Sequence, residues 1–201
     1  VERYGLNYEK AKALLKEAGF EDRDGDGILE KDGKPFRFTV LTNQGNDARI
    51  KTAEIIQRRL KNIGIDMKIL VLEWAVFIKE FINKRNFDAI ILGWTIPQDP
   101  DLFDIWHSSK AEKGGLNHYS YKNEEVDRLL IEGRRTIDKK KRKKIYDRIQ
   151  EILADDVPCV FLYVPYALPV IDKRFRGIEP KPAGITYNKE KWYVPKLEQR
   201  Y

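Results

Sequence analysis

Cysteine, methionine and histidine are scarce in this chain: one Cys, one Met and two His among 201 residues. A single thiol excludes a disulfide framework and any zinc site built on two or more thiolates. Cys159 stands in the apolar run Val157–Val164, where a buried, inert thiol is expected rather than a nucleophile. Long apolar runs are missing as well. No stretch approaches the roughly 20 residues that cross a bilayer, and no charged start leads through an apolar stretch to a small-residue cleavage site. The chain opens on Val1, which reads as a piece of a longer polypeptide, so a missing export signal carries no message about location. An excess of one charge sign is also lacking: 38 Lys+Arg against 32 Asp+Glu leave +6 on a sequence where acids and bases interleave. A module dedicated to nucleic acid concentrates its basic charge instead.

Against these shortages stand 42% hydrophobic and 11% aromatic residues, enough for a sizeable core and incompatible with a wholly disordered chain. The length fits one large domain or two small ones. Charged residues reach 35%; with so little Cys and Met, that profile leans toward a heat-adapted source.

Periodicity orders the first half. Asn7 caps a predicted helix over Tyr8–Ala18, with Ala11, Leu14, Leu15 and Ala18 as its stripe and Gly19 as its stop. Phe36, Phe38 and Val40 alternate with polar residues as a strand with one buried face. Asp47 caps a second helix carrying Ala53, Ile56, Leu60 and Ile63, and Ile65, Met67, Ile69 and Val71 alternate as a second strand. A short helix over Trp74–Lys84 leads to Phe87–Trp94, apolar on both faces as an interior strand is. This is the pattern of an α/β domain with parallel neighbours. Residues 95–121 lose periodicity and are rich in Pro, Asp, Gly, His and aromatics; irregular connections of this length tend to be functional. Helices over Glu124–Arg135 and Asp138–Ala154 and a buried strand over Pro158–Tyr166 follow, and the chain from Ile171 reads as extended surface segment.

Four constellations carry candidate chemistry. Asp22, Asp24 and Asp26 alternate ahead of Gly27, with Glu30 beyond; alternating carboxylates before a turn glycine are how a calcium loop begins. The twelfth position is Gly33 rather than the bidentate Glu of an EF-hand, and a turn whose Asp side chains bond their own backbone is the competing reading. Lys139–Lys144 is six basic residues in a row, but successive helical residues spray around the axis and no aromatic is interleaved, so a solvated face is expected. His107 and His118, with Asp99 and Asp101, are the material for an unrecognised enzyme or metal site, although no nucleophile elbow, phosphate loop or zinc motif accompanies them. Finally, Gly93-Trp94 ends an apolar strand and runs into a Pro-bracketed turn carrying Asp99 and Asp101. Ligands of open α/β sheets bind outside the carboxyl ends of strands, and Trp94 offers a flat amphipathic face there.

The order and spacing of several segments resemble one family. They are Tyr8–Phe20; the Asp-Gly-Asp-Gly turn with Lys34-Pro-Phe; Gly64-Ile65; Trp74 through Phe87-Asp88 to Gly93-Trp94; Asp99-Pro-Asp101; Trp106-His-Ser-Ser109; Gly115 with Asn117; Tyr121–Leu130; and Asp156-Val-Pro158 with Phe161-Leu-Tyr163. Together they are similar to the C-terminal lobe of bacterial extracellular solute-binding proteins of family 5, the oligopeptide, dipeptide and nickel-binding capture subunits of ABC importers. The resemblance implies an α/β, periplasmic-binding-protein-like (type II) lobe with a mixed, mostly parallel sheet flanked by helices. Residues 1–170 would form that lobe, and 171–201 a tail returning toward the N-terminal lobe. It further implies closure around a solute without chemistry, membrane permease subunits as partners, and a periplasmic or extracellular location, including lipid anchoring through an N-terminal part. No nucleic acid and no cofactor are implied, structural calcium apart. Peptide-binding members place an Asp soon after the Gly-Trp pair, against the ligand's α-amino group. Here the third residue after Trp94 is Pro97, with Asp99 and Asp101 shifted along the turn. Oligopeptides are the expected solute, a sugar or a nickel complex the alternatives, with Trp94, Asp99, Asp101, Phe103, Trp106 and His107 as candidate contacts.

Overall fold

Asn7 opens the first helix by accepting a hydrogen bond from the Lys10 amide at 2.9 Å, and α1 runs over Tyr8–Glu17. The computed structural model describes residues 4–95, 98–112, 114–182 and 184–200. A two-residue hairpin follows, β1 (Glu30–Lys31) with β2 (Lys34–Pro35). Next come β3 (Arg37–Asn43), α2 (Asp47–Lys61) and β4 (Asp66–Leu72). The α2 cap is Asn46, which accepts from the Arg49 amide at 3.1 Å. The expected cap, Asp47, sits one residue inside, where a carboxylate favours the positive end of the helix dipole. Gly64 closes the α2–β4 connection at φ +80°, and a Cβ there would lie 2.8 Å from Leu29 Cγ. The turn therefore requires glycine on both counts.

Helix α3 (Trp74–Val76) begins at Glu73, whose carboxylate accepts from Ala75 and Val76, and continues as a π-helix over Phe77–Ile82. The predicted third strand, Phe87–Trp94, is regular only as β5 (Ala89–Ile90). Strands β3, β4 and β5 pair in parallel in the order β4-β3-β5. Because β3 is central, its last four residues, Val40, Leu41, Thr42 and Asn43, are all buried; the expected single buried face becomes two. On one face Val40 packs with Ala53, Met67 and Ile91. On the other, Leu41 packs with Phe77 and Ile82. Alternation along β3 thus assigns α2 to one side of the sheet and the π-helix to the other.

Past the short α4 (Phe103–Trp106), α5 (Glu124–Arg135) and α6 (Lys139–Asp156) pack together. Val126, Leu129 and Leu130 of α5 and Ile145, Ile149, Ile152 and Leu153 of α6 are buried. Gly133 permits the close approach: a Cβ there would lie 3.0 Å from the Tyr146 ring. Helix α6 ends with Val157 in the left-handed region at φ +47°, next to Pro158, which cannot continue a helix.

The chain divides there into two compact units, the second beginning at Cys159. The strand expected over Pro158–Tyr166 does not form. A strand exists only against another strand, and the second unit's pairing among described residues is confined to the bridges Arg176↔Tyr193 and Lys181↔Gly184. Cys159 is half-buried. Val164, Tyr166, Leu168 and Val170 are 91%, 92%, 84% and 99% exposed. No helix among the described residues is long and apolar enough to cross a membrane.

Phe77 is fully buried beneath the sheet. Phe77→Ala leaves a cavity and is expected to lower unfolding free energy by about 3–5 kcal/mol in urea denaturation. A loss below about 1 kcal/mol would contradict this packing.

Candidate functional site

The three parallel strands end on one side, and from the edge strand β5 the chain passes through Gly93 to Trp94. Trp94 is half-buried. It stacks on His118 with ring centroids 5.3 Å apart and planes 14° from parallel. Its indole Nε1–H donates to the Tyr119 hydroxyl at 3.3 Å. Tyr119 in turn stacks on Trp106 at 4.8 Å and 14°, and Trp106 meets Tyr121 edge-on at 6.0 Å. A continuous aromatic platform therefore lies past the carboxyl end of the sheet, where parallel α/β sheets place their ligands. Trp106 is its buried member, 4% exposed. The neighbouring Pro97 falls, with Ile96, outside the described residues.

One buried side chain organises this segment. Asn117 is fully buried. Its Nδ2 group faces the carbonyls of Trp106 and His107 at 3.3 Å each and of Tyr121 at 2.9 Å, while its Oδ1 accepts from the Tyr121 amide at 3.1 Å. Its own amide donates to the Lys110 carbonyl at 3.1 Å. Gly115 is pressed against the same turn; a Cβ there would lie 2.1 Å from the Lys110 carbonyl oxygen.

The two carboxylates past Trp94 are held by arginines. Asp99 accepts from Arg142 Nη1 and Nη2 at 2.8 and 2.6 Å. Asp101 accepts from Arg134 Nε at 2.9 and 2.8 Å on its two oxygens, and from the Phe103 amide at 3.1 Å. Arg142 holds the Asp99 carboxyl below the usual range, and Arg134 does the same for Asp101. Arg134 also lies 4.0 Å over the Phe103 ring. Phe103 stacks on His107 at 4.1 Å, and the His107 Nδ1 accepts from the Ser109 amide at 3.1 Å. The Ser108 hydroxyl and amide both bond Asp127. Serine, histidine and aspartate here serve as helix and turn caps, with the serine hydroxyl turned to the carboxylate.

Sequence reasoning found Trp94 and the irregular segment, named Asn117 and Tyr121 only as parts of matching segments, and gave no role at the site to these two or to Tyr119, Arg134 and Arg142. Arg142 was hidden inside the basic run. It is the run's only arginine, and its planar fork suits bidentate pairing in a way lysine does not.

Elsewhere in the first unit, Asp22, Asp24, Asp26 and Glu30 bring one oxygen each within 4.8 Å of one another. Asp22 accepts from the amides of Gly25 and Gly27, Asp24 from Asp26, Asp26 from Ile28, and Glu30 from Arg23. Asp26 is also within 3.5 Å of Arg37. The set is all hard oxygen, the donor chemistry that calcium takes.

Burial, and after it the nearby Arg85 guanidinium, push the His118 imidazole below its ordinary value. The folded chain binds this proton less tightly than the unfolded chain does, so stability falls as pH drops through the ordinary imidazole range of about 6.5. Urea midpoints at pH 7.5 and 5.0 should differ more for the native sequence than for His118→Gln; equal differences would contradict the burial of this ring.

The comparisons with known proteins agree with this geometry. The family model described as "Bacterial extracellular solute-binding proteins, family 5 Middle" matches residues 2–115. The oligopeptide-binding protein AppA of Bacillus subtilis is 41% identical over 198 residues, which are 98% of this chain and 36% of that protein. Its structure in complex with a nonapeptide superposes with a TM-score of 0.83 at 42% identity, covering 98% of this chain and 39% of that one. NikZ from Campylobacter jejuni, solved in complex with Ni(L-His), gives a TM-score of 0.78 at 28% identity over 95% of this chain and 40% of its own. The expected type II periplasmic-binding-protein fold, α/β with a parallel sheet flanked by helices, is borne out. The chain spans little more than a third of the relatives it matches, and it belongs to the bacterial extracellular solute-binding proteins of family 5.

Proposed function

We propose that this chain is one lobe of a longer capture protein that grips an oligopeptide for an ABC importer and releases it unaltered. The observation that carries the reading is the position of Trp94, braced by His118 and Tyr119 past the carboxyl end of a parallel sheet. A half-buried indole held on both its face and its N–H loses little freedom when a solute covers it. Phe103 and His107, stacked on each other, are the next candidate contacts. Asp99 and Asp101, being paired to Arg142 and Arg134, anchor the segment, and Trp106 supports it from below. Backbone groups and ordered water would then meet the peptide's polar ends. A nickel complex or a sugar is the alternative solute for the same surface.

No chemistry on the solute is proposed, because the serines, histidines and aspartates of the segment are used as caps and stacking partners. No nucleic-acid partner is proposed either: Arg142 and Lys143, within the basic run, are paired to Asp99 and Asp147. The partners of the longer protein would be its N-terminal lobe, which supplies the other wall of the cleft, and membrane permease subunits outside the cytoplasm. The exposed apolar segment from Val160 to Val170 supports a covering lobe, since a patch of this kind marks an interaction surface. A location in the periplasm, or lipid anchoring outside the cell, accompanies this reading.

The acidic turn supports a structural calcium ion as a second proposal, held by Asp22, Asp24, Asp26 and Glu30, whose converging oxygens favour it. Its job would be to tie the α1–β1 connection, remote from the solute.

Isothermal titration of a mixed-sequence nonapeptide into the full-length protein tests the first reading. Trp94→Ala should weaken binding about thirtyfold, the loss of about 2 kcal/mol typical of a central aromatic contact. A change under twofold, or a peptide recovered cleaved, would overturn it. Millimolar calcium should raise the melting temperature by a few degrees, with EDTA reversing the shift and Asp24→Asn abolishing it. An unchanged melting temperature leaves the four carboxylates as turn acceptors alone.

A further inference from the structure

The aromatic platform does not hold itself. Trp106 closes α4, and from there to α5, which takes in Tyr119 and Tyr121, the described residues have a single 3-10 turn, Ser108–Lys110, as their regular structure. Such backbone must pair its carbonyls with side chains or water. The carbonyls of Trp106, His107 and Tyr121 all converge on Asn117 Nδ2 within 3.3 Å. The two N–H bonds of one amide thus bind both ends of the stretch from Trp106 to Tyr121 together, and the return bond from the Tyr121 amide at 3.1 Å fixes the amide's orientation. His118, which stacks on Trp94, and Tyr119, which accepts its N–H, directly follow Asn117 in the chain. Ser120 then turns through φ +53°, a conformation that non-glycine residues adopt at a cost, and Tyr121 arrives beside Trp106. A displacement of Asn117 is therefore passed first to the ring beneath Trp94 and to the hydroxyl that receives its N–H.

We propose that Asn117 is the positioning residue of the recognition surface: from a fully buried site it sets the stacking of His118 on Trp94 and of Tyr119 on Trp106, and so the pose in which Trp94 meets a solute. This rests on the reading that Trp94 contacts the ligand, and it adds a residue that touches no ligand itself. Asparagine suits the task because one planar group offers two donors and one acceptor in fixed geometry. Aspartate has the same shape but no donors, so it would face three carbonyl oxygens with a charge.

The test compares Asn117→Ala and Asn117→Asp with Val126→Ala in the full-length protein. Val126 is fully buried in α5 and supplies a variant of reduced stability that keeps every platform ring and the Asn117 amide. Two readouts are taken: affinity for the mixed-sequence nonapeptide, and the resonance and titration of His118 followed by NMR with histidine labelled at the ring carbon, assigned through His118→Gln. The expected result is a loss of at least tenfold in affinity for both Asn117 variants, a less than twofold loss for Val126→Ala, and a His118 signal that moves toward that of a solvated imidazole only in the Asn117 variants. Where the Asn117 variants fail to fold, Tyr119→Phe, which deletes only the oxygen receiving the Trp94 N–H, is expected to weaken binding at unchanged melting temperature. Equal affinity losses in the Asn117 and Val126 variants, or an unmoved His118 signal, would overturn the proposal; with Tyr119→Phe as the only variant, unchanged binding would do so. A native protein that ignores the nonapeptide while His118 still moves on substitution of Asn117 would overturn the peptide reading and leave the positioning role standing.

Discussion

Backbone hydrogen bonding in the irregular stretch past the sheet is the constraint on which the site depends. A parallel sheet satisfies its own N–H and C=O groups, and a helix does likewise, but among the described residues between Trp94 and α5 regular structure is limited to the four-residue α4 and one 3-10 turn. It meets the requirement with one buried amide, Asn117, and with side-chain caps: Asp101 to the Phe103 amide, His107 to that of Ser109, Asp127 to that of Ser108. An unpaired buried polar group costs about 1–3 kcal/mol, so this set of bonds selects a single arrangement of a segment that periodicity alone would leave undefined. The aromatic rings follow from that arrangement, because their backbone positions are already fixed.

Electrostatics then joins the segment to the helix pair. Asp99 and Asp101 reach Arg142 on α6 and Arg134 on α5, and Arg142 also donates from Nε to the Gly133 carbonyl at 2.9 Å. Exposed ion pairs contribute little to stability, about 1 kcal/mol or less. Their value here is geometric: bidentate and end-on arginine contacts set direction as well as distance. The turn that leaves the sheet is thereby tied to two helices whose own spacing is set by the contact of Gly133 with Tyr146.

Much of the fold was legible because it repeats. Alternating apolar residues marked β3 and β4, the helices expected over Glu124–Arg135 and Asp138–Ala154 match α5 and α6 nearly to the residue, and the parallel order followed from strands separated by helices. Central position was not legible in β3, since burial of Thr42 and Asn43 depends on neighbours that lie elsewhere in the chain. The segment after Pro158 misled for a related reason: high apolar content means that a surface will be covered, without saying by which part of a protein. At the site, Trp94 could be picked out as the end of an apolar run. Asn117 could not, because a polar residue in a loop looks the same in sequence whether it is solvated or buried, and Arg142 was masked by the lysines around it. In each case the missing information was a partner that no periodic pattern in the sequence announces.

Native mass spectrometry of the full-length protein as purified, with release and weighing of whatever it carries, examines the central claim most directly. The expected result is a protein that retains a peptide of unaltered mass and loses that cargo when Trp94 is replaced by alanine. A protein that turns its cargo into a different compound, or that holds it equally well without the Trp94 side chain, would contradict capture by this lobe.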